Sequence, residues 1–201
     1  MDKKIDRFEL LENIVDSLIV DMVKMLERKS SGVYYLPEET DEDTMTYNFE
    51  GVNDLTVEFE VIQDKTITDP EVDGEYVNND AIIVIQVVYN PNADFRESME
   101  EIIPELHELL THEVVHFLQE ESGYEFPKKD PKKPYKYYTQ DHEVEAQLKG
   151  FEKKSKVTKK EMKDVIKHWF KKYPHKHNLT PAQVTKLIKK LLEIYNDGQK
   201  R

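Results

Sequence analysis

The chain has no cysteine. That excludes disulfides, a thiol nucleophile and any cysteine-ligated zinc site. It also has no long apolar run. The longest, Ala81 to Val88, is interrupted by Gln86 and falls well short of the ~20 residues that a membrane helix needs. The opening residues, Met1-Asp2-Lys3-Lys4-Ile5-Asp6, lack the apolar segment of a secretion signal. A soluble, cytoplasmic protein without a membrane partner is therefore expected. Hydrophobic residues are only 38% of the chain and charged residues are 35%. Even so, 8 Phe, 11 Tyr and one Trp supply enough large side chains for a core, which excludes wholesale disorder. A length of 201 residues fits one domain, or one domain with an appendage.

Positive charge is scarce in one part of the chain and abundant in the other. Residues 1–126 hold 8 Lys/Arg against 32 Asp/Glu, a net of −24, and residues 127–201 hold 21 against 9, a net of +12. Such asymmetry predicts that the two parts meet different partners, or each other. The acidic part argues against nucleic acid as the ligand of the whole chain, since phosphates need cationic contacts.

Hydrophobic periodicity places the elements. Phe8, Leu11, Val15, Leu18, Met22 and Met25 recur at spacings of three and four, predicting a long helix from Ile5 to Arg28. An acidic loop, Glu38 to Asp43, follows. Met45, Tyr47 and Phe49 alternate with polar residues, as do Leu55, Val57, Phe59 and Val61, predicting two strands joined by a hairpin at residues 51–54. A polar loop through Asp69-Pro70 and Asp73-Gly74 leads to Ala81–Tyr89, whose near-continuous Ile and Val content predicts a strand covered on both faces. A helix is predicted from Ser98 to Glu120, with Pro104 near the start of its main part. A Lys-, Pro- and Tyr-rich loop spans Gly123 to Tyr138. Thr139 or Asp141 is expected to cap a further helix reaching Phe151. In the basic tail, Thr158 and Glu161 fit a capping box ahead of Met162, Val165, Ile166, Trp169 and Phe170. Thr180-Pro181 starts a last helix that ends near Asn196-Asp197-Gly198.

The stretch that carries chemistry is Thr111-His112-Glu113-Val114-Val115-His116. Two His four apart on a helix differ by about 40° in azimuth and roughly 6 Å along the axis, so both imidazoles reach one metal ion. Glu113, beside the first His, is placed to act on a water at the metal rather than to bind the metal. Zinc is expected, because it accepts His and carboxylate ligands in an open tetrahedral site. A third protein ligand is then needed, and Asp141-His142-Glu143-Val144-Glu145-Ala146 offers His142, Glu143 and Glu145. Glu143 and Glu145 cannot share that role from one helix, because positions two apart diverge by about 160°. His107, five residues before His112, lies off the metal face and is expected to be solvated.

His112 to Gln119, HEVVHFLQ, followed by Glu143-Val144-Glu145-Ala146, resembles the gluzincin-type zinc metallopeptidases, above all their small, minimal members. The resemblance covers about Ala81 to Phe151. It implies an α+β, zincin-like fold, with a short β-sheet packed on the HExxH active-site helix. The long N-terminal helix and the C-terminal helical extension lie outside it. It also implies one catalytic zinc ion bound by His112, His116 and Glu143, with Glu145 in reserve, and Glu113 as general base. Ala146 would allow close packing on the motif helix. A Tyr or His often donates to the oxyanion in such enzymes. Tyr138 is the residue taken for that role, with Tyr137 and His142 as the other candidates. Phe117-Leu118-Gln119 replaces the glycine and third His of metzincins, so that branch does not fit.

The expected organisation is a zincin-like domain over residues 1–154 and a basic helical extension over residues 155–201 packed on it. The expected activity is hydrolysis of a peptide or protein substrate. Two other classes are weighed beside it. One is a non-catalytic structural or interaction protein that keeps the zinc fold. The other is a nucleic-acid-associated protein acting through its basic part, which is not favoured because no base-reading motif accompanies the lysines.

Overall fold

The apolar stripe at the N-terminus forms α1, Arg7–Glu27, and buries Ile14, Leu18, Met22 and Leu26 completely. The computed structural model describes residues 7–28, 32–36, 55–77, 80–127, 130 and 132–199. The acidic loop, the strand expected around Met45–Phe49 and the hairpin at 51–54 lie outside the described residues.

Among the described residues, four strands form one sheet in the order β1-β2-β4-β3. β2, Thr56–Gln63, and β4, Ile82–Tyr89, lie parallel at its centre, where sequence alternation and Ile/Val content placed strands. β1, Gly32–Leu36, pairs antiparallel with β2, and β3, Glu71–Val77, pairs antiparallel with β4. β3 corrects the sequence reading, which took Asp73-Gly74 as loop. Its outward side chains are Glu71, Asp73 and Glu75, and Gly74 stands between its inward-facing Val72 and Tyr76, so little strand signal remains. The glycine is required there: a Cβ at Gly74 would collide with the carbonyl oxygen of Val84. β4 also departs from expectation. Ile83, Ile85, Val87 and Tyr89 are buried, but Ile82, Val84, Gln86 and Val88 are only half-buried. One face of the sheet is sealed by helices, whereas the other is an aliphatic stripe between acidic strands.

α2, Phe95–Glu121, starts earlier than predicted because Asp94 caps it, its side chain accepting from the Glu97 N–H. Pro104 therefore lies inside the helix, not at its start. α3, Pro134–Tyr138, occupies the end of the segment read as loop. α4, Asp141–Thr158, runs one to two turns beyond Phe151 and crosses the expected boundary at residue 154. Its N-cap is Gln140, without a side-chain cap bond. Thr139 instead closes α3, its hydroxyl donating to the Tyr135 carbonyl at 3.0 Å. The Thr158–Glu161 capping box does not form. Thr158 is the last residue of α4 and its hydroxyl donates to the Lys154 carbonyl at 2.7 Å, while Lys159 takes a left-handed turn with φ 55°. α5, Met162–Lys172, α6, Pro174–His177, and α7, Pro181–Gly198, follow. α7 opens with a Thr180–Gln183 capping box.

Two apolar cores result. The first joins α1, the inner sheet face and α2, and takes in Ala146 from α4. The second joins α4, α5 and α7 with Tyr138 of α3. The fold is α+β, and the contact between α2 and α4 ties the two cores together. The helices approach closely at Gly150, where a Cβ would stand 2.7 Å from the Glu108 carbonyl oxygen. Lysines of the basic part meet carboxylates of the acidic part across this join: Lys153 with Asp16 at 2.6 Å, Lys156 with Glu12 at 3.0 Å and Lys172 with Glu105 at 3.5 Å. Among the described residues, no helix is long and apolar enough to cross a membrane.

Candidate metal centre

His112 and His116 project from the same face of α2, and their Nε2 atoms stand 3.0 Å apart. Glu143, in the first turn of α4, brings Oε1 to 3.7 Å from His112 Nε2 and Oε2 to 3.4 Å from His116 Nε2. A tetrahedral ion with ligand bonds of 2.0–2.1 Å sets its ligand atoms about 3.3 Å apart, and these three separations bracket that edge. Glu143 is buried at 2% exposure. Its Oε1 accepts from Gln147 Nε2 at 2.9 Å, but its Oε2 has no hydrogen-bond partner among the described residues. A buried carboxylate oxygen left this way, facing an imidazole nitrogen, is a group that a bound cation could complete. Glu145 points elsewhere: it is exposed and accepts from Gln119 Nε2 at 2.9 Å.

His116 is oriented for ligation by a chain of donors. Gln119 Nε2 donates to the His142 carbonyl and to Glu145, so Gln119 Oε1 must be the acceptor facing His116 Nδ1 at 2.9 Å. Nδ1 therefore carries a proton, which leaves Nε2 as the ring atom that faces the site.

Glu113 offers a carboxylate oxygen within 4.8 Å of the ligating atoms of His112 and His116, so these three residues form a group that could hold a metal ion. Its Oε2 is held by the backbone N–H of Tyr76 on β3 at 2.9 Å. A carboxylate fixed by that main-chain donor suits the side of the site rather than its coordination sphere, which leaves Glu143 as the better third ligand.

The two buried carboxylates titrate far apart. Burial pushes Glu113 up to about 8, and the charge of Glu143 adds to this against the pull of His116 and the Tyr76 N–H. Burial acts on Glu143 in the same direction, but the charges of His112 and His116 outweigh it and hold the group down at about 2. The same burial therefore acts on both carboxyls, and their different neighbours set them apart, Glu113 high and Glu143 low.

The cluster opens on a cleft of about 640 Å³. Its walls are β3 from Val72 to Tyr76, the exposed side of α2, Phe126-Pro127, Tyr137, Tyr138, His142, and Trp169 with Tyr173 from α5 and its end. All three expected oxyanion donors border it. Burial raises the hydroxyls of Tyr137 and Tyr138 well above the usual range, and Glu143 raises both further. Tyr137 also shares a hydrogen bond with Glu143. His142 is buried, its Nδ1 meets the Tyr124 hydroxyl at 3.0 Å, and its Nε2 has no partner among the described residues.

The sequence did not point to Tyr76, Gln119, Gln147 or Trp169. Gln119, three residues after His116, carried a usable signal, since a polar residue one turn from a ligand can orient it. His107 overturns an expectation: it is half-buried, and its Nδ1 is buried without a partner among the described residues. His177 is also buried and accepts from the Leu179 N–H through Nδ1 at 3.1 Å, which is a packing role.

Comparison of the chain with family models, curated proteins and solved structures gave no match.

Proposed function

We propose that this chain is a zinc-dependent metallopeptidase with a zincin-like fold, hydrolysing peptide bonds with water. The observation that carries the reading is the meeting of His112, His116 and Glu143 at 3.0–3.7 Å, with Glu113 fixed beside them on a strand N–H. His112, His116 and Glu143 would hold the ion. When bound, zinc supplies an acidified water and polarises the scissile carbonyl.

The chain's own residues do the rest. Glu113 takes a proton from the attacking water and delivers it to the leaving amine. Tyr138, Tyr137 and His142 form the donor set above the site, one of which stabilises the oxyanion. Tyr137 shares a hydrogen bond with the ligand carboxylate. β3, an edge of the sheet among the described residues, would give an extended substrate a backbone to pair with.

The test is Glu113→Gln. The variant should retain stoichiometric zinc by mass spectrometry of the native protein. Cleavage of a mixed peptide library should fall about 10²–10⁴-fold, the usual contribution of a general base. Absence of zinc from wild type sinks the reading. Zinc with no cleavage by wild type returns the chain to a non-catalytic zinc-binding protein.

A further inference from the structure

The end of α2 is shaped by one glycine. Gly123 has φ 83°, in the left-handed region that a residue with a Cβ avoids. Its N–H donates to the Glu120 carbonyl at 2.7 Å, and the next N–H, of Tyr124, donates to the Gln119 carbonyl at 3.1 Å. These two bonds are the Schellman motif of helix ends. The chain leaves the helix that carries His112 and His116 by this turn, and the Tyr124 hydroxyl comes to stand 3.0 Å from His142 Nδ1.

His142 is 4% exposed and lines the cleft. Its carbonyl accepts from Gln119 Nε2 at 3.0 Å. Its ring lies among those of Tyr124, Phe126, His116 and Tyr137, with centroids 5.1 to 6.0 Å away. This packing holds the ring, and the Tyr124 hydroxyl decides where its proton sits. An imidazole nitrogen is a far better base than a phenol oxygen, so the Tyr124 O–H donates and Nδ1 accepts. The ring's own proton is then on Nε2. Nε2 has no partner among the described residues. A buried donor left this way costs free energy until an acceptor reaches it. Tyr137, by contrast, already shares a hydrogen bond with Glu143.

We propose that Tyr124 is a positioning residue that works through His142, keeping a proton on Nε2 for a substrate oxygen in the cleft. This deepens the metallopeptidase reading and rests on it: the oxygen is the scissile carbonyl oxygen, which gains charge as water adds.

The experiment uses the full chain with Tyr124→Phe, which removes one oxygen from an exposed side chain and keeps the ring. On the zinc-loaded protein, kcat and KM are measured with a cleaved peptide, and zinc content by native mass spectrometry. Tyr124→Phe should lower kcat roughly tenfold, less than the ~10²–10³-fold that loss of an oxyanion donor itself costs. KM and zinc content should stay as in wild type, the signature of a contact made only in the transition state. His142→Phe, which keeps a ring in the same packing, should show the larger loss, and Tyr124→Phe added to it should cost nothing more. Unchanged kcat in Tyr124→Phe, a loss in KM alone, or a loss that persists in the His142→Phe background overturns the proposal and spares the peptidase reading. A second arm needs no metal. In metal-free protein with ¹⁵N-labelled histidine at alkaline pH, NMR should find the His142 proton on Nε2 in wild type and shared between both nitrogens in Tyr124→Phe. A proton on Nδ1 in wild type, or one that Tyr124→Phe leaves in place, overturns the proposal. If wild type cleaves no peptide, the peptidase reading falls, and the NMR arm alone decides whether Tyr124 sets the His142 proton.

Discussion

Helices α2 and α4 bury charge together in two places, and the two are built to opposite ends. At one, Lys154 of α4 lies between Glu105 and Glu108 of α2, with Nζ 2.6 and 2.7 Å from their carboxylates. At the other, Glu143 of α4 faces His112 and His116 of α2 at 3.7 and 3.4 Å, and one carboxylate oxygen lacks a hydrogen bond among the described residues. The first cluster closes on itself: each charge meets its opposite at hydrogen-bond distance. The second has the right groups at separations too long for good hydrogen bonds and near the edge length of a tetrahedral site. Burial penalises charge at both, so the difference lies in what completes each set. A lysine completes the first, and a cation from solution would complete the second.

The largest expected effect comes from breaking the open cluster. Glu143→Ala should weaken zinc binding by more than about 100-fold, since changing a mere outer-shell partner already costs 10–100-fold. Competition against a chromogenic chelator measures this. Wild type should also gain thermal stability as zinc is added, because the ion binds only the folded chain. The variant should lose that gain. Undiminished zinc affinity would show that Glu113 or Glu145 supplies the ligand instead.

Much of the open cluster was legible because its information is local. His112 and His116 share a helical face by simple period, and Glu143 precedes the buried Ala146 by one turn. The closed cluster was not legible, since Lys154 meets carboxylates 46 and 49 residues earlier and no short pattern encodes that. The anchor of Glu113 was hidden for another reason. It is a main-chain N–H, at Tyr76, and every residue but proline carries one. β2 and β4 were readable from alternation and apolar content. β3 was not, because acidic outward residues and Gly74 erased the strand signal on the element that borders the cleft. Reading residues 155–201 as an extension also missed that Trp169 and Tyr173 form part of the cleft wall.

Breaking the closed cluster should cost stability rather than chemistry. Lys154→Met leaves Glu105 and Glu108 buried without their cation, a loss on the order of 3–5 kcal/mol by analogy with other broken buried pairs. The urea midpoint of unfolding reports it. Replacing Glu105 and Glu108 by Gln in the same variant should restore much of the loss, because the unpaired charge, not the missing bond, is the main penalty. If the triple variant is no more stable than the single one, the cost lies in lost packing of the lysine stem.

Acid provides a gentler probe of the same cluster. Burial would raise the Glu105 carboxyl, but Lys154 and then Lys172 outweigh it and hold it below its ordinary 4.5. A depressed carboxyl stabilises the fold above its unfolded value and loses that contribution as pH falls through the lower folded value. Lys154, raised above 10.5 by Glu108 and Glu105 despite burial, contributes in full below 10.5 and loses it only as pH rises through its higher folded value. The cluster is therefore at full strength between the two. The urea midpoint of the metal-free wild type should fall as pH drops below about 4.5, with a shallower fall in Lys154→Met. Equal slopes would assign the acid sensitivity to other carboxylates.

The smallest effect sharpens the comparison from outside. Lys156 meets Glu12 of α1 at 3.0 Å, a distance close to that of the Lys154 pairs, but both side chains are more than half exposed. Water already solvates these charges, and holding two long side chains in register costs entropy, so Lys156→Ala should change stability by less than ~0.5 kcal/mol. Lys154 and Lys156 lie two residues apart on one helix and carry the same charge. If Lys156→Ala is nearly silent while Lys154→Met is severe, burial sets the difference. If the two losses are comparable, the acidic and basic parts are held together by general attraction between −24 and +12, and raising the ionic strength should then weaken wild type and both variants alike.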